Sequence, residues 1–413
     1  MHRNVGWFAL VALAVAGLAA AALAPRAHAQ LLISDFQLGA QWKINSAARL
    51  MAGLAPWYPG HFEYAQTGEW KQHSATMSAV WDELRSGRVS SMSAWRDREV
   101  SRSCPVGKTL LYPFSGPDFF NAYWLFPECR TFVMFGLEHI GKIPDLERTG
   151  KRDLTNLMSD VRTATADLFH RNYFITSNMS RQLFTAQLRG VVPLIAISMA
   201  LSGVEILRIT PQTLNRYRQQ ATRPSETDAR KLHSLRVPRG VEIEFRMPGS
   251  REVKRLIYFS VDATNSSLTK YPEFLAFLRD FGPTTTLVKA ASYLLHDRNF
   301  SKLRAALLEV SHFLVQDDSG VPYNMLVRDA WDVQLHGTYS VPIPPFQRAF
   351  QPALKAAYEK QPFRPLSFDF GYHFHDRREG RAMVMVGRKR AEHKPVAALA
   401  HDGLSAKLKF SYR

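Results

Sequence analysis

Cysteine is scarce in this sequence, with only Cys104 and Cys129 among 413 residues. Neither follows the N-terminal apolar run in the way that a lipobox cysteine would, so a lipoprotein is disfavoured. No zinc-finger spacing and no RNA-binding signature accompanies the basic residues. Nucleic acid is therefore not the favoured partner.

Two familiar motifs are also incomplete. A nucleophile elbow requires Gly-x-Ser-x-Gly between a strand and a helix, but Ser115 precedes its glycine and has none two positions before it. The alternating oxygen ligands of an EF-hand are absent around Asp317 and Asp318. These absences argue against an elbow-type serine hydrolase and against that kind of calcium site, and we find no internal repeat.

The N-terminal thirty residues have the layout of a secretory signal. Arg3 gives a positive start, Val5 to Leu23 carry no charge, and Ala27-His28-Ala29 is a small-x-small cleavage site. We predict cleavage near Ala29 and a periplasmic or secreted mature chain. An uncleaved membrane anchor is the alternative, because the apolar run approaches the ~20 residues that span a bilayer.

Export gives the two cysteines a role. An oxidising compartment favours a disulfide between Cys104 and Cys129, which would enclose the aromatic segment between them. Two separate buried thiols are the alternative.

The chain is strongly basic, with a formal net charge of +17. Residues 216–255 hold eleven Lys or Arg against five acids, and residues 375–394 form a second basic region. In an exported protein such charge attracts phospholipid headgroups, lipopolysaccharide or acidic polymers. Solvated faces that keep the protein soluble are the alternative explanation.

The pattern of apolar residues predicts an α+β fold. Residues 30–105 read as a helical N-terminal layer, 106–345 as a mixed-sheet core with packed helices, and 346–413 as a C-terminal antiparallel β-meander with a basic tail. Residues 216–240 resemble a linker within the core. The apolar run at 190–207 is interrupted by proline, serine and glycine, so we predict a buried helix and no transmembrane segment in the mature chain.

Particular segments carry this fold prediction. VEIEFRM and RLIYFSV, residues 241–247 and 255–261, predict a hairpin. FSKLRAALLEVSHFLV, residues 300–315, reads as one helix capped by Ser301. LSFDFGYHFH, residues 366–375, alternates like a strand.

The segment LLYPFSGPDFFNAYWLF, residues 110–126, predicts a strand, a turn and a short helix capped by Asp118. The turn would lie at the carboxyl end of a strand, where α/β folds place ligands. Ser115 and Asp118 of the turn, together with Tyr112 and Trp124, are the candidate binding residues. A capped turn in a closely packed core is the alternative.

Four residues are candidates for catalysis: Asp118, Glu138, His139 and Asp318. Glu138 and His139 follow a predicted strand and could act as acid and base if burial shifts their pKa values; an exposed turn is the alternative. Asp318 lies in QDDSGVPY, which also fits an Asp-rich turn after a helix. No complete catalytic constellation is present, so the sequence leaves open whether the protein is an enzyme.

A weaker candidate is a metal site on the predicted strand 366–375. Asp369, His373 and His375 would share one face of that strand, and three ligands with a water could form a hydrolytic zinc site. The neighbouring arginines Arg377 and Arg378 would repel a dication, so a metal is not favoured and no cofactor is predicted.

Several long motifs carry a family resemblance: LLYPFSGPDFFNAYWLFPECRTFVMFGLE, ASYLLHDRNFSKLR, QDDSGVPY and WDVQLHGTYSVPIPPF. Through them the chain resembles a family of uncharacterised exported bacterial proteins, from about residue 40 to residue 375. The resemblance implies an exported envelope protein and no activity, cofactor or catalytic residue. The sequence therefore predicts a periplasmic protein that binds an anionic envelope component, with a hydrolase of an envelope polymer or lipid as the alternative.

Overall fold

The computed structural model describes residues 39–100, 108–174, 181–183, 185, 187–214, 238–328, 331–372 and 382–390. These residues form the predicted α+β fold, which is built on one mixed sheet of nine strands. Where the sequence predicts a C-terminal β-meander, the described part of residues 346–413 contains a helix, Pro352–Lys360, and one strand, Met383–Lys389. Of the helices in this part of the chain, none combines the length and the apolarity that crossing a bilayer would require.

Twelve helices are described. They are α1 (39–51), α2 (Phe62–Ala65), α3 (Gly68–Leu84), α4 (Ser90–Glu99), α5 (Phe119–Leu125), α6 (Lys151–Arg171), α7 (Val191–Leu201), α8 (Asn265–Lys270), α9 (Glu273–Arg279), α10 (Ser301–Val310), α11 (Tyr323–Arg328) and α12 (Pro352–Lys360). A π-helical turn, Arg85–Val89, joins α3 to α4, and short 3₁₀ turns occur at Pro59–His61, Leu146–Arg148, Leu294–His296, Arg298–Phe300 and Pro344–Ala349.

The sheet has the strand order β3-β4-β5-β2-β1-β6-β7-β9-β8. Its five central strands, β5, β2, β1, β6 and β7, run parallel, and antiparallel pairs complete both edges. The strands are β1 (Thr109–Pro113), β2 (Thr131–Gly136), β3 (Glu205–Thr213), β4 (Arg239–Arg246), β5 (Val253–Ser260), β6 (Thr284–Val288), β7 (Ser311–Gln316), β8 (Trp331–Gly337) and β9 (Met383–Lys389).

Helices cover both faces of the sheet because its central strands are apolar on both sides. On β1, Leu110 and Tyr112 join the core formed with α1 to α7, whereas Leu111 joins the core formed with α8 to α10. The predicted helical N-terminal layer belongs to the first of these cores. The predicted buried helix at 190–207 is confirmed as α7, whose eleven residues are all buried.

The predicted strand-turn-helix unit is also confirmed. β1 ends at Pro113, and α5 begins at Phe119 with Asp118 as its N-cap. The Asp118 carboxylate accepts a hydrogen bond from the backbone N–H of Asn121 at 3.1 Å, which satisfies one of the free amides of the first helical turn. The predicted hairpin is confirmed as β4 and β5.

Three local predictions are wrong. Residues 311–316 form the buried strand β7 and do not continue α10. Ser301 is the first residue of α10, and no side chain caps that helix at its N-cap, Phe300. Residues 366–372 are not a strand. The backbone oxygen of Asp369 accepts from the Asn172 amide, and the N–H of Tyr372 donates to Asp317, so these backbone groups bond to side chains.

The predicted domain boundaries stay a prediction. Most of the predicted linker at 216–240, the N-terminal signal and the basic tail lie outside the described residues.

Candidate functional site

Three turns meet at the carboxyl edge of the parallel strands. They follow β1, β6 and β7, which are neighbours in the sheet. The turn residues are 114–118, 289–293 and 317–320. This is the edge at which open α/β sheets bind ligands.

A buried ion pair joins two of these turns. Nζ of Lys289 lies 2.8 Å from Oδ2 of Asp118, and the two side chains are 1% and 2% exposed. The hydroxyl of Tyr112 donates to the same oxygen at 2.7 Å, and Lys289 also donates to the backbone oxygen of Asn172. Burial lowers the pKa of Lys289, and the Asp118 charge opposes that shift. Asp118 is therefore both the cap of α5 and the partner of a buried ammonium group.

Side chains of the β7 turn hold the backbone of the β6 turn. Oδ2 of Asp317 accepts from the N–H of Ala290 at 2.9 Å, and Oγ of Ser319 accepts from the N–H of Ala291 at 2.8 Å. The Ser319 hydroxyl in turn donates to Oδ1 of Asp317. Asp317 and Ser319 are fully buried, and their hydrogen bonds hold the turn after β6 rigidly.

The backbone at this edge is strained. Six non-glycine residues in the described chain have a positive φ, and four of them lie in these turns: Phe114, Ala290, Ser292 and Tyr293. Asn172 instead ends α6 as its left-handed C-cap. The left-handed region costs of order 1–3 kcal/mol for such residues, and strain of this kind concentrates at functional sites. The strain therefore marks the carboxyl edge as the candidate site.

Asp318 organises the outer part of the site. Its Oδ2 accepts from the hydroxyl of Tyr293 at 2.6 Å, and its backbone oxygen lies 3.1 Å from Nε2 of His296. A carbonyl can only accept, so Nε2 of His296 carries the proton and Nδ1 is left as an acceptor. Burial lowers the pKa of His296, which keeps the ring neutral. The amide of Gln351 donates to the same backbone oxygen at 3.0 Å.

A cleft of about 450 Å³ opens beside these groups. It is lined by Tyr293, His296, Asp297, Pro322, Asn324, Arg348, Ala349, Phe350, Gln351, Pro352 and Ala353. The Arg348 side chain is exposed and has no ion-pair partner among the described residues. This volume is in the range of small-molecule sites.

The candidate binding residues of the β1 turn border a much smaller space. Tyr112, Ser115 and Asp118 line a cavity of about 20 Å³ together with Lys289, which is room for roughly one water molecule. The Ser115 hydroxyl donates to the neighbouring backbone oxygen of Gly116 at 3.1 Å. Trp124 does not line this cavity and packs edge-on against Tyr123.

Glu138 and His139 make contacts with different partners. Glu138 is half-buried, its carboxylate accepts from the hydroxyl of Tyr258 at 3.1 Å, and burial raises its pKa. His139 is exposed, and its Nδ1 accepts from the N–H of Gly141 at 3.0 Å. They follow β2, which is separated from β6 and β7 by β1.

The predicted metal site and the predicted disulfide each include residues that lie outside the described ranges. His373, His375 and Cys104 lie outside the described residues, so both hypotheses stay predictions. Asp369 is described, and its backbone oxygen accepts from the Asn172 amide at 2.8 Å. Within the described ranges no group of three or more His, Cys, Asp or Glu could hold a metal ion.

Sequence reasoning did not identify Lys289, Tyr293, His296 or Arg348. The run TTTLV is rich in β-branched residues, which is typical of a strand, and a single lysine, Lys289, follows it. This is the one local signal that a charged residue stands at the end of a buried strand. Arg348 follows a proline-rich stretch that carries no motif.

Much of the described positive charge on the sheet is compensated. Arginines of three neighbouring strands pair with glutamates, as Arg208–Glu244 on β3 and β4, Arg246–Glu205 on β4 and β3, and Arg255–Glu242 on β5 and β4. Within the described part of the basic region 216–255, Arg246 and Arg255 are therefore paired. Comparison with known proteins found no matching protein family, no matching curated protein and no matching solved structure.

Proposed function

We propose that this chain is an exported protein that binds an anionic component of the bacterial envelope in the carboxyl-edge cleft. The observation that carries the proposal is the cleft of about 450 Å³, which joins Arg348 to polar and aromatic groups beside a rigid turn. Export after cleavage near Ala29 and the family resemblance are expectations from the sequence that agree with this proposal.

The lining holds one cation, Arg348, and one carboxylate, Asp297, so it suits a small polar ligand whose anionic group is bound by Arg348. Arg348 offers a planar guanidinium that can hold a carboxylate or phosphate through two hydrogen bonds. Asn324 adds an amide, and His296 adds Nδ1 as an acceptor for a ligand hydroxyl. Phe350, which is 41% exposed, offers a ring face against which a sugar or glycerol backbone can pack.

Preorganisation favours binding at this place. The hydrogen bonds from Tyr293 and His296 to Asp318 hold both side chains before a ligand arrives. Less conformational entropy is then lost on binding. The net charge of +17, which becomes +15 without Arg3 and Arg26 of the signal, would increase the rate at which an anion approaches.

Isothermal titration tests the proposal. The probes are a glycerol phosphate oligomer, the phosphorylated core oligosaccharide of lipopolysaccharide and a uronate oligosaccharide. A hydrogen bond to a charged group contributes about 1.5–3 kcal/mol, so R348A should weaken the binding of the recognised probe roughly tenfold or more. R85A removes the same charge from an exposed helical position outside the cleft and should leave affinity unchanged. Equal losses in both variants, or no binding of any probe, would reject the proposal.

A hydrolase is the second candidate, favoured by one observation. His296 is held as a neutral ring with Nδ1 as its acceptor, so it could take a proton from an attacking water. Asp318 would position it through the backbone oxygen, whereas Asp118 is committed to Lys289. Turnover of any of the three probes that H296Q abolishes, while binding persists, would promote this function over simple binding.

A further inference from the structure

A second pocket, of about 150 Å³, lies next to the cleft. Its lining includes Tyr339, Lys355, Tyr358, Glu359, Phe363 and Arg364, and all of its described lining residues differ from those of the cleft. At about 30 Å³ for each water molecule, it has room for roughly five waters or for one small polar unit of a ligand.

One buried tyrosine joins the two spaces. Tyr339 lines the second pocket, and its hydroxyl accepts from the backbone N–H of Gln351 at 3.2 Å. Its ring stacks on the ring of Phe350, with the centroids 6.2 Å apart and the planes 10° apart. Gln351 and Phe350 both line the cleft. Because Tyr339 is only 2% exposed, it forms a fixed wall between the cleft and the second pocket.

Helix α12 borders both spaces. Pro352 lines the cleft, whereas Lys355 and Glu359 line the second pocket. These three residues stand at positions i, i+3 and i+7, so they share one face of the helix. A rise of 1.5 Å per residue separates the first from the last by roughly 10 Å along the axis. The two spaces therefore follow each other along one helix, within reach of a single ligand of a few linked units.

The second pocket carries one uncompensated positive charge. Nζ of Lys355 lies 2.9 Å from Oε1 of Glu359, so these two charges compensate each other. Arg364 forms no ion pair with any acidic side chain in the described ranges. Its backbone oxygen accepts from the N–H of Gly337 at 2.7 Å, which fixes the backbone of this arginine at the end of β8. The second pocket therefore offers one guanidinium to an anionic group, as Arg348 does in the cleft.

Each space combines an arginine with an exposed phenylalanine. In the cleft they are Arg348 and Phe350, and in the second pocket they are Arg364 and Phe363. Phe363 is 70% exposed, so its ring face is open to a sugar or glycerol unit. The same two side-chain types recur in neighbouring spaces, and such a recurrence matches a ligand built from repeating units.

We propose that the second pocket is a second subsite for the ligand of the cleft, and that this ligand is an oligomer with an anionic group on each unit. Arg348 binds one anionic group, and Arg364 binds another group of the same molecule. The inference rests on the proposed function, because it takes the cleft as the first subsite. Linking the units makes the second binding event intramolecular, so an oligomer should bind more tightly than its monomer.

Isothermal titration with matched ligands tests the proposal. The probes are glycerol phosphate with its oligomer and galacturonate with its oligomer, so the pair that binds shows whether the anionic group is a phosphate or a carboxylate. In the wild type the oligomer should bind at least about tenfold more tightly than the monomer. R364A should remove most of this advantage and leave the affinity for the monomer unchanged. R85A, which changes an exposed arginine outside both spaces, should leave both affinities unchanged.

The other outcomes separate the second subsite from the cleft. If R364A loses thermal stability, F363A is the second variant and should weaken the binding of the oligomer more than that of the monomer. Equal affinities of monomer and oligomer in the wild type, or equal losses of both in R364A, would overturn the inference. The proposed function would still stand if R348A weakened the binding of the monomer. Binding of neither pair, with recognition of the lipopolysaccharide core oligosaccharide alone, would also overturn the second subsite.

Discussion

The ammonium group of Lys289 lies 2.8 Å from the carboxylate of Asp118, and both side chains are almost completely buried. The two residues follow neighbouring parallel strands, β6 and β1, which the sheet brings together from distant parts of the chain. The ion pair therefore ties together the turns that follow β1 and β6.

Removing one member of this pair should be costly. Lys289→Met leaves the Asp118 charge buried without its partner, and breaking a buried pair in this way costs about 3–5 kcal/mol. Urea denaturation should show a lower free energy of unfolding of this size. The double variant D118N/K289M should recover part of the loss, because no unpaired charge remains. A loss below about 1 kcal/mol in K289M would contradict the stabilising role of the pair.

His73 should make the protein sensitive to acid. Nε2 of this buried ring donates to the backbone oxygen of Met51 at 2.8 Å, and Nδ1 accepts from Arg162 at 3.1 Å. Burial, assisted by the Arg162 charge, lowers the pKa of His73 from 6.5 to about 4. The unfolded chain therefore takes up a proton first, so stability is complete above pH 6.5 and falls as the pH drops towards 4.

The loss from this one residue should be up to about 3 kcal/mol, since each pKa unit corresponds to ~1.4 kcal/mol. His73→Gln keeps one donor and one acceptor but cannot be protonated, so its stability should decline less between pH 6.5 and pH 4. Thermal unfolding across this range measures the slope. His336, whose pKa burial also lowers to about 4, should account for part of the remaining slope. Identical slopes in H73Q and the wild type would refute the assignment.

Gly371 should tolerate no side chain. Its φ is +58°, and an added Cβ would overlap Oδ2 of Asp317, the atom that holds the Ala290 N–H. Gly371→Ala should lower the free energy of unfolding by more than ~1 kcal/mol, because the left-handed conformation alone costs about that much. Gly87→Ala is the matched control, since nothing lies within 4 Å of a Cβ there. A G371A variant as stable as G87A would contradict this expectation.

Local sequence was enough to predict those helices and strands whose ends are marked by turn residues. The turn residues before α5 and between β4 and β5 interrupt apolar runs at the correct positions. The boundary between α10 and β7 has no such interruption, because Ser311 allows either conformation and a buried parallel strand is apolar throughout. Residues 366–372 alternate like a strand, but their backbone groups bond to the side chains of Asn172 and Asp317, which local sequence does not reveal.

The site was predictable only in part for the same reason. Asp118 and Asp318 could be singled out because each lies in a turn after an apolar run. Their partners could not, since Lys289 meets Asp118 only through sheet pairing. His296 is defined by a contact with a backbone oxygen, and no sequence motif encodes such a contact.

The central claim is that an anionic ligand binds in the cleft, and the most direct test is to find where a bound ligand contacts the chain. Amide hydrogen exchange would be measured for the full chain with and without the recognised anionic probe, and R348A would be measured in parallel. We predict slower exchange in residues 293–297 and 348–353, which line the cleft, and weaker protection in R348A at the same probe concentration. Protection confined to surfaces outside the cleft, in a chain that binds the probe, would contradict the account.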